Sequence, residues 1–288
     1  MVTTNDVHVG RFYGERVIEV TPDLVEHYAS SVEDRNDSYF GPSPFGGPVA
    51  PALMLHSECY HTVDWYLSYF GNLHARQEWE FFQPMMVGES VIARRQVIDR
   101  YFKRDREYIV MEVGTYAMDG RLLVRGRTHQ SFVLDPSDTR RTVVDKDREK
   151  RADRKFDITD EVILEELVGP AKEVTIEMCK LFSPGKNYHN DVEEARRLGF
   201  PDIVVQGMMS LCFISEMMTN RYGEGWFAGG RMNVNLVNVL WQGETVSAGG
   251  VVIGENPEGS ATRANLRVWC EKQDGTKVTV GTASALKR

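Results

Sequence analysis

The sequence predicts an α+β fold in which one module occurs twice, each copy a long apolar helix wrapped by an antiparallel sheet. Two observations predict it. The first is a duplication, which has to be recognised before any other reading of a chain. Asp119-Gly120 and Asp274-Gly275 each lead through five residues to a further glycine, Gly126 and Gly281, and the two runs lie 155 residues apart. Val87-Gly88-Glu89 and Gln242-Gly243-Glu244 share that offset, and Gly47–Met54 lies near Asp202–Met209, with Pro51 read opposite Gly207 at an offset of 156. The second observation is that both copies run in the same order, helix first and strands after, which is a layered α+β pattern.

Each copy opens with a short amphipathic piece, Pro22–Ser31 and Thr175–Phe182, followed by a loop rich in Gly, Pro and Asn. A long helix is expected next, over Ala52–Phe70 and Gly207–Tyr222. Leu211, Ile214, Met217 and Met218 recur at the three- and four-residue spacing of a buried helix. Strands are expected at Glu78–Phe82, Glu89–Tyr101, Glu107–Met118 and Arg121–Val133, then at Gly230–Leu240, Glu244–Glu255, Ser260–Lys272 and Thr276–Leu286. The Asp-Gly pairs read as hairpin turns. These boundaries give a first module over 1–135 and a second over 173–288, whose sheets are expected to join. The segment 136–172 carries Arg140-Arg141 and the charged run Asp145 to Arg151, the composition of a solvated connector.

Composition removes several function classes. The 34 Lys and Arg against 42 Asp and Glu leave a formal charge of −8, so no basic face for nucleic acid is expected. The N-terminus shows no basic then apolar secretory pattern. The uncharged stretch Gly41–Leu55 is broken by four prolines and cannot span a membrane. Four scattered cysteines, with no C-x-x-C pair, argue against disulfides or a thiolate zinc site and point to the cytoplasm. His56, His61 and His74 lack metal-ligand spacing with a carboxylate, so no metal is expected. There is no G-x-G-x-x-G or Walker loop, so no nucleotide cofactor is expected either.

The informative polar residues lie on the loops before the two long helices. In the second copy Ser183-Pro184-Gly185-Lys186-Asn187-Tyr188-His189-Asn190-Asp191 leads through Ala195 and Gly199-Phe200-Pro201 to Gly207-Met208. These residues resemble the MaoC-like, (R)-specific enoyl-CoA hydratase family, hydratase 2, whose members have the hot-dog fold. The resemblance extends over nearly the whole chain and implies two fused hot-dog modules. His189 falls on the family's histidine, Gly207 follows at the family's spacing, and Ser215 lies where such hydratases carry a serine on the central helix. The sequence also departs from the pattern. Pro184 stands at the family's Asp and Lys186 at its Asn. In the first copy Asp34 and Asn36 keep the D-x-N part while Tyr39 stands at the His position. Pro51, without an N–H, is read at the start of the first helix opposite Gly207.

The resemblance implies interconversion of a trans-2-enoyl thioester and an (R)-3-hydroxyacyl thioester, carried by CoA or acyl carrier protein, without a cofactor. Adding water to an enoyl thioester builds negative charge on the thioester oxygen, and a helix N-terminal amide such as that of Gly207 can stabilise it. Histidine is the usual group for moving a proton near neutrality. The candidate catalytic residues are therefore His189, Asp191, Asn187 and Gly207, with Ser215, Asp34, Asn36 and Tyr39 as substrate contacts. Each has a plainer reading as a loop-ordering, capping or core group. The aromatic first-copy helix, with Tyr60, Trp65, Tyr66, Tyr69 and Phe70, suits either a core or an acyl tunnel. Thioester hydrolysis on the same fold and a silent acyl-CoA-binding or scaffold subunit are the rival functions. The oligomeric state is open: one chain already completes a pair of hot-dog modules, and the resemblance also allows a homo-oligomer.

Overall fold

The computed structural model describes residues 7–59, 72–103, 106–133 and 156–288. The first half contains strand β1 (Phe12–Glu19), helix α1 (Pro22–Val32), and strands β2 (Leu73–Phe81), β3 (Ser90–Lys103), β4 (Arg106–Ala117) and β5 (Leu122–Val133). The second half contains strands β6 (Glu165–Val168) and β7 (Lys172–Glu173) and helices α2 (Ile176–Phe182), α3 (Val192–Arg197), α4 (Met208–Tyr222) and α5 (Glu224–Phe227). It closes with strands β8 (Arg231–Leu236), β9 (Thr245–Glu258), β10 (Ala261–Lys272) and β11 (Lys277–Lys287).

All the strand pairs are antiparallel and form one sheet in the order β1-β3-β4-β5-β2-β8-β11-β10-β9-β6, with β7 also on β9. Outward from the β2–β8 pair the order reads the same in both directions. That central pair runs from Arg76 opposite Asn235 to Glu80 opposite Arg231. Main-chain bonds continue the junction, with Phe81 donating to Gly230 at 2.9 Å and Gly229 to Phe81 at 2.8 Å.

The repeat shows in corresponding bonds of the two halves. The isolated bridges Val49–Met86 and Val204–Trp241 are 155 residues apart. Asp119 Oδ1 accepts the Arg121 amide and Asp274 Oδ1 the Thr276 amide, each turning the chain at a glycine with φ near +90° or +84°. The glycine that ends each run faces the partner strand toward the junction. A side chain on Gly126 would run into the Trp79 ring, and one on Gly281 into the main chain of Asn233. Thr21 and Thr175 cap α1 and α2, accepting from Leu24 and Met178 at 3.1 and 3.2 Å.

Helix α4 is buried along almost its whole length and packs on β9, β10 and β11, with Met208, Met209, Leu211, Ile214 and Met218 fully enclosed. Each such side chain contributes roughly 1.5–3 kcal/mol of apolar burial. In the first half, residues 52–55 are turns and His56–Cys59 is a 3-10 helix rather than the start of an α-helix. The rest of the helix expected over Ala52–Phe70, with its aromatic residues from Tyr60 to Phe70, lies outside the described residues. The charged run 140–151 lies outside them too. The end of the expected connector is built into the fold: Phe156 packs on Trp269, β6 pairs with β9, and Lys172 is buried. Among the described residues no helix is long and apolar enough to cross a membrane.

Candidate functional site

The loop between α2 and α3 places His189. Asn187 Oδ1 accepts the His189 amide at 2.8 Å, and Asn187 Nδ2 donates to the carbonyls of Ser183 and Gly185. The Asn187 side chain thus folds the loop around itself. His189 Nδ1 donates a 2.8 Å hydrogen bond to the Val204 carbonyl, so its lone pair is on Nε2. The ring rests on Tyr188 at 3.9 Å, and Tyr188 stacks on Phe200. Burial pushes the His189 pKa down to about 4, against the bond to Val204, which favours the charged ring. His189 is therefore a neutral imidazole presenting Nε2 as an acceptor.

Four residues beyond Val204, α4 begins at Met208. Gly207 is its N-cap, with no side chain closing the helix end. Among the described residues the Gly207 and Met208 amides donate to no main-chain carbonyl. They are the positive end of a helix, left without main-chain acceptors. A Cβ on Gly207 would run into the Leu236 side chain, which packs directly against the glycine. Gln206 ties the two parts together, donating from Nε2 to Ser183 Oγ at 3.0 Å, while its Oε1 is buried with no partner among the described residues. The structure thus brings His189, Asn187 and Gly207 into one neighbourhood.

It takes Asp191 out of that role. Asp191 is the N-cap of α3: Oδ1 accepts the Glu193 and Glu194 amides at 3.0 Å, and the side chain faces Lys186 at 3.6 Å. Those backbone bonds keep its carboxyl below the ordinary range. Ser215, expected in the pocket, is a core hydroxyl that accepts from Trp226 Nε1 at 3.0 Å. The predicted position of Pro51 also shifts. Met54 donates to Pro51 and Met209 to Gln206, while Ala50 bonds Met85 and Val205 bonds Leu240. Pro51 therefore corresponds to Gln206, and Ala52 is the counterpart of Gly207.

Asp34, Asn36 and Tyr39 gather elsewhere, against α4 where the halves meet. Tyr39 OH donates to Asp34 Oδ2 at 2.8 Å, and Asn36 Nδ2 donates to Asn220 Oδ1 at 2.9 Å. Lys172 is 6 % exposed and donates to Glu216 Oε2 at 2.6 Å and to the Val32 and Glu33 carbonyls at 2.7 and 3.0 Å. It thereby caps the C-terminus of α1 from the other half. Asp34, Asn36, Lys172, Glu216 and Asn220 line a cavity of about 410 Å³. Burial raises the Asp34 carboxyl, opposed by Tyr39 and Lys172, and pushes Glu216 up to about 7. No motif announced Lys172 or Glu216; only the fold brings them together.

The architecture has known counterparts. A MaoC-like dehydratase superposes with a TM-score of 0.73 at 16 % identity, covering 98 % of this chain and 99 % of its own. A Mycobacterium tuberculosis protein described as having a double hotdog fold gives 0.64 at 14 % identity, covering 98 % and 97 %. A Lactobacillus plantarum protein described as an oleoyl thioesterase gives 0.51 at 11 % identity, covering 96 % of each chain. The fold is that of the hot-dog proteins, MaoC-like dehydratases among them. No protein-family model matches the sequence, and no curated protein matches it.

Proposed function

We propose that the protein is an acyl-thioester hydratase/dehydratase built as two fused hot-dog modules, each around a central helix, with its working site in the second. Residues 1–135 form the degenerate half and 173–288 the working half. The reaction interconverts trans-2-enoyl-CoA and (R)-3-hydroxyacyl-CoA, with the stereochemistry following the resemblance to hydratase 2. The observation that carries this reading is the neutral His189 imidazole, pinned through Nδ1 to Val204 just ahead of the uncapped amides of Gly207 and Met208.

In hydration, His189 Nε2 takes a proton from water as the water oxygen bonds to C3. The C2–C3 π electrons move to the thioester oxygen, where the α4 amides and the helix dipole stabilise the charge. The imidazolium then returns the proton to C2. Asn187 orders the loop that presents the ring. The carrier is CoA or acyl carrier protein, and the chemistry belongs to fatty acyl metabolism.

The test is loss of enoyl absorbance with crotonyl-CoA and with a longer or aromatic enoyl-CoA, wild type beside His189→Ala. The variant is expected to lower turnover by on the order of 10²–10⁴. Near-normal activity in His189→Ala would remove the residue from the mechanism. The likeness to an oleoyl thioesterase favours hydrolysis as the second reading, and free acid in place of the hydroxyacyl thioester would establish it. Calorimetric binding of acyl-CoA without turnover would identify a silent subunit.

A further inference from the structure

Ser183 is the point from which the His189 loop hangs. It closes α2, its amide donating to the Cys179 carbonyl at 3.0 Å, and it is 6 % exposed. Its carbonyl accepts from Asn187 Nδ2 at 3.2 Å and from Asn190 Nδ2 as well. Asn187 in turn holds the His189 amide, and the His189 ring reaches across to the Val204 carbonyl. Two residues beyond Val204, Gln206 returns to the start of the loop and donates from Nε2 to Ser183 Oγ at 3.0 Å. Gln206, Ser183, Asn187, His189 and Val204 thus form a closed circuit, with α4 beginning at its edge.

Gln206 makes this contact at a cost. Its Oε1 is buried without a partner among the described residues, and an unmet buried acceptor destabilises a fold. A methionine, of similar length, would carry no such penalty. The carboxamide is therefore a poor contributor to stability and a good tie between the loop and the helix. The circuit also keeps the ring dry. Burial depresses the His189 pKa to about 4 against the bond to Val204, with no charged side chain taking part. The charged groups of the loop, Lys186 and Asp191, face each other at 3.6 Å, and Asp191 caps α3. A loop released from Gln206 would let water reach the ring and bring its pKa back toward the ordinary 6.5.

We propose that Gln206 is a positioning residue for the reaction, holding the His189 imidazole at the start of α4 through Ser183 and Asn187. The proposal rests on the hydration reading above. Gln206 touches no reacting atom: the water proton passes to His189 Nε2 and on to C2 as before. What it supplies is placement, and a displacement of about 1 Å in a reacting group can cost on the order of 10²-fold in rate.

The test compares Gln206→Met, Ser183→Ala and the double variant with wild type on an enoyl-CoA that the protein turns over. Each single change is expected to lower kcat by roughly 10- to 100-fold, with KM changed less than about threefold. The double variant should fall no more than about threefold below the worse single, because both changes open one contact. The acidic limb of kcat/KM should move up from about 4 in all three, and the urea midpoint of Gln206→Met should hold or rise. Wild-type kcat in either single variant, or losses that multiply in the double, overturns the proposal. So does a loss of kcat that tracks a lowered urea midpoint while the acidic limb stays in place, the mark of a merely structural residue. If Gln206→Met does not fold, Ser183→Ala carries the same expectations. Failure of the hydration reading looks different: wild type does not turn over, while the His189 imidazole pKa, followed by NMR, still rises in Ser183→Ala. An unchanged His189 pKa in that variant overturns the proposal with or without turnover.

Discussion

The Tyr39 hydroxyl donates to Asp34, five residues upstream, where the second half has His189 and Pro184. The correspondence is set by the main chain: Val49 donates to Ser38 as Val204 donates to Tyr188. One half therefore keeps the carboxyl with a tyrosine, and the other keeps the histidine with a proline. The buried Asp34 depends on Tyr39 for its side-chain donor at that oxygen. Tyr39→Phe is expected to cost about 1–3 kcal/mol in urea unfolding, the usual penalty for a buried acceptor left short of a partner. A loss below about 0.5 kcal/mol would mean that Asp34 finds another donor.

Lys172 fastens the halves through three acceptors on α1 and α4. Lys172→Met strands Glu216 and two helix-end carbonyls, and about 3–5 kcal/mol of stability should be lost. The double variant Lys172→Met with Glu216→Gln should lose less than the two single changes together, because the stranded charge is gone. Strict additivity in denaturant titrations would show that the two side chains are not coupled.

Glu216 also makes stability depend on pH. Its folded pKa, about 7, lies above the ordinary 4.5, so the native state holds the proton more tightly than the unfolded chain does. The stabilisation is complete below about pH 4.5 and is lost as pH rises through 7. Between pH 5 and 8 this group should withdraw on the order of 1–3 kcal/mol. Glu216→Gln should flatten that part of the stability profile; an unchanged slope would assign it to other groups.

The neutral His189 gives a kinetic signature. With its pKa pushed down to about 4, the base form persists well below the usual histidine range. The acidic limb of kcat/KM for hydration should therefore fall through about pH 4 and not near 6.5. A limb near 6.5 would place the ring in a wetter environment than the structure gives it.

Two glycines of the repeated Asp-Gly run should respond differently to alanine. Gly120 has open space for a Cβ but a φ of +90°, so Gly120→Ala should cost about 1–2 kcal/mol through backbone strain. At Gly281 the obstacle is the main chain of β8, which cannot move without breaking the sheet. Gly281→Ala should cost on the order of 3 kcal/mol or more, read from thermal or urea unfolding.

The duplication was legible because both halves meet the same local demands: a turn glycine and a small residue facing the junction. Such demands act over a few residues and leave their mark in the sequence. Offsets between marks were less legible. The loops before the helices differ in length, so the sequence pairs Pro51 with Gly207, whereas the bonds of Met54 and Met209 place it opposite Gln206. Edge strand β6 was hidden because its short, charged run alternates too little to be told from a connector. At the site, His189 and Gly207 stood out because they lie near one another along the chain. Ser215 could not be separated from a ligand contact without seeing Trp226.

The β2–β8 ladder has a consequence for how the halves are held. Two separate subunits pairing along these strands would come apart on dilution, with a balance set by their concentration. Here the strands belong to one chain, and pairing is a first-order event whose effective local concentration is fixed by the intervening polypeptide. The joint is therefore insensitive to expression level. It also fixes stoichiometry at one of each half, so a lone tyrosine loop is always assembled beside a histidine loop and never beside a second tyrosine loop.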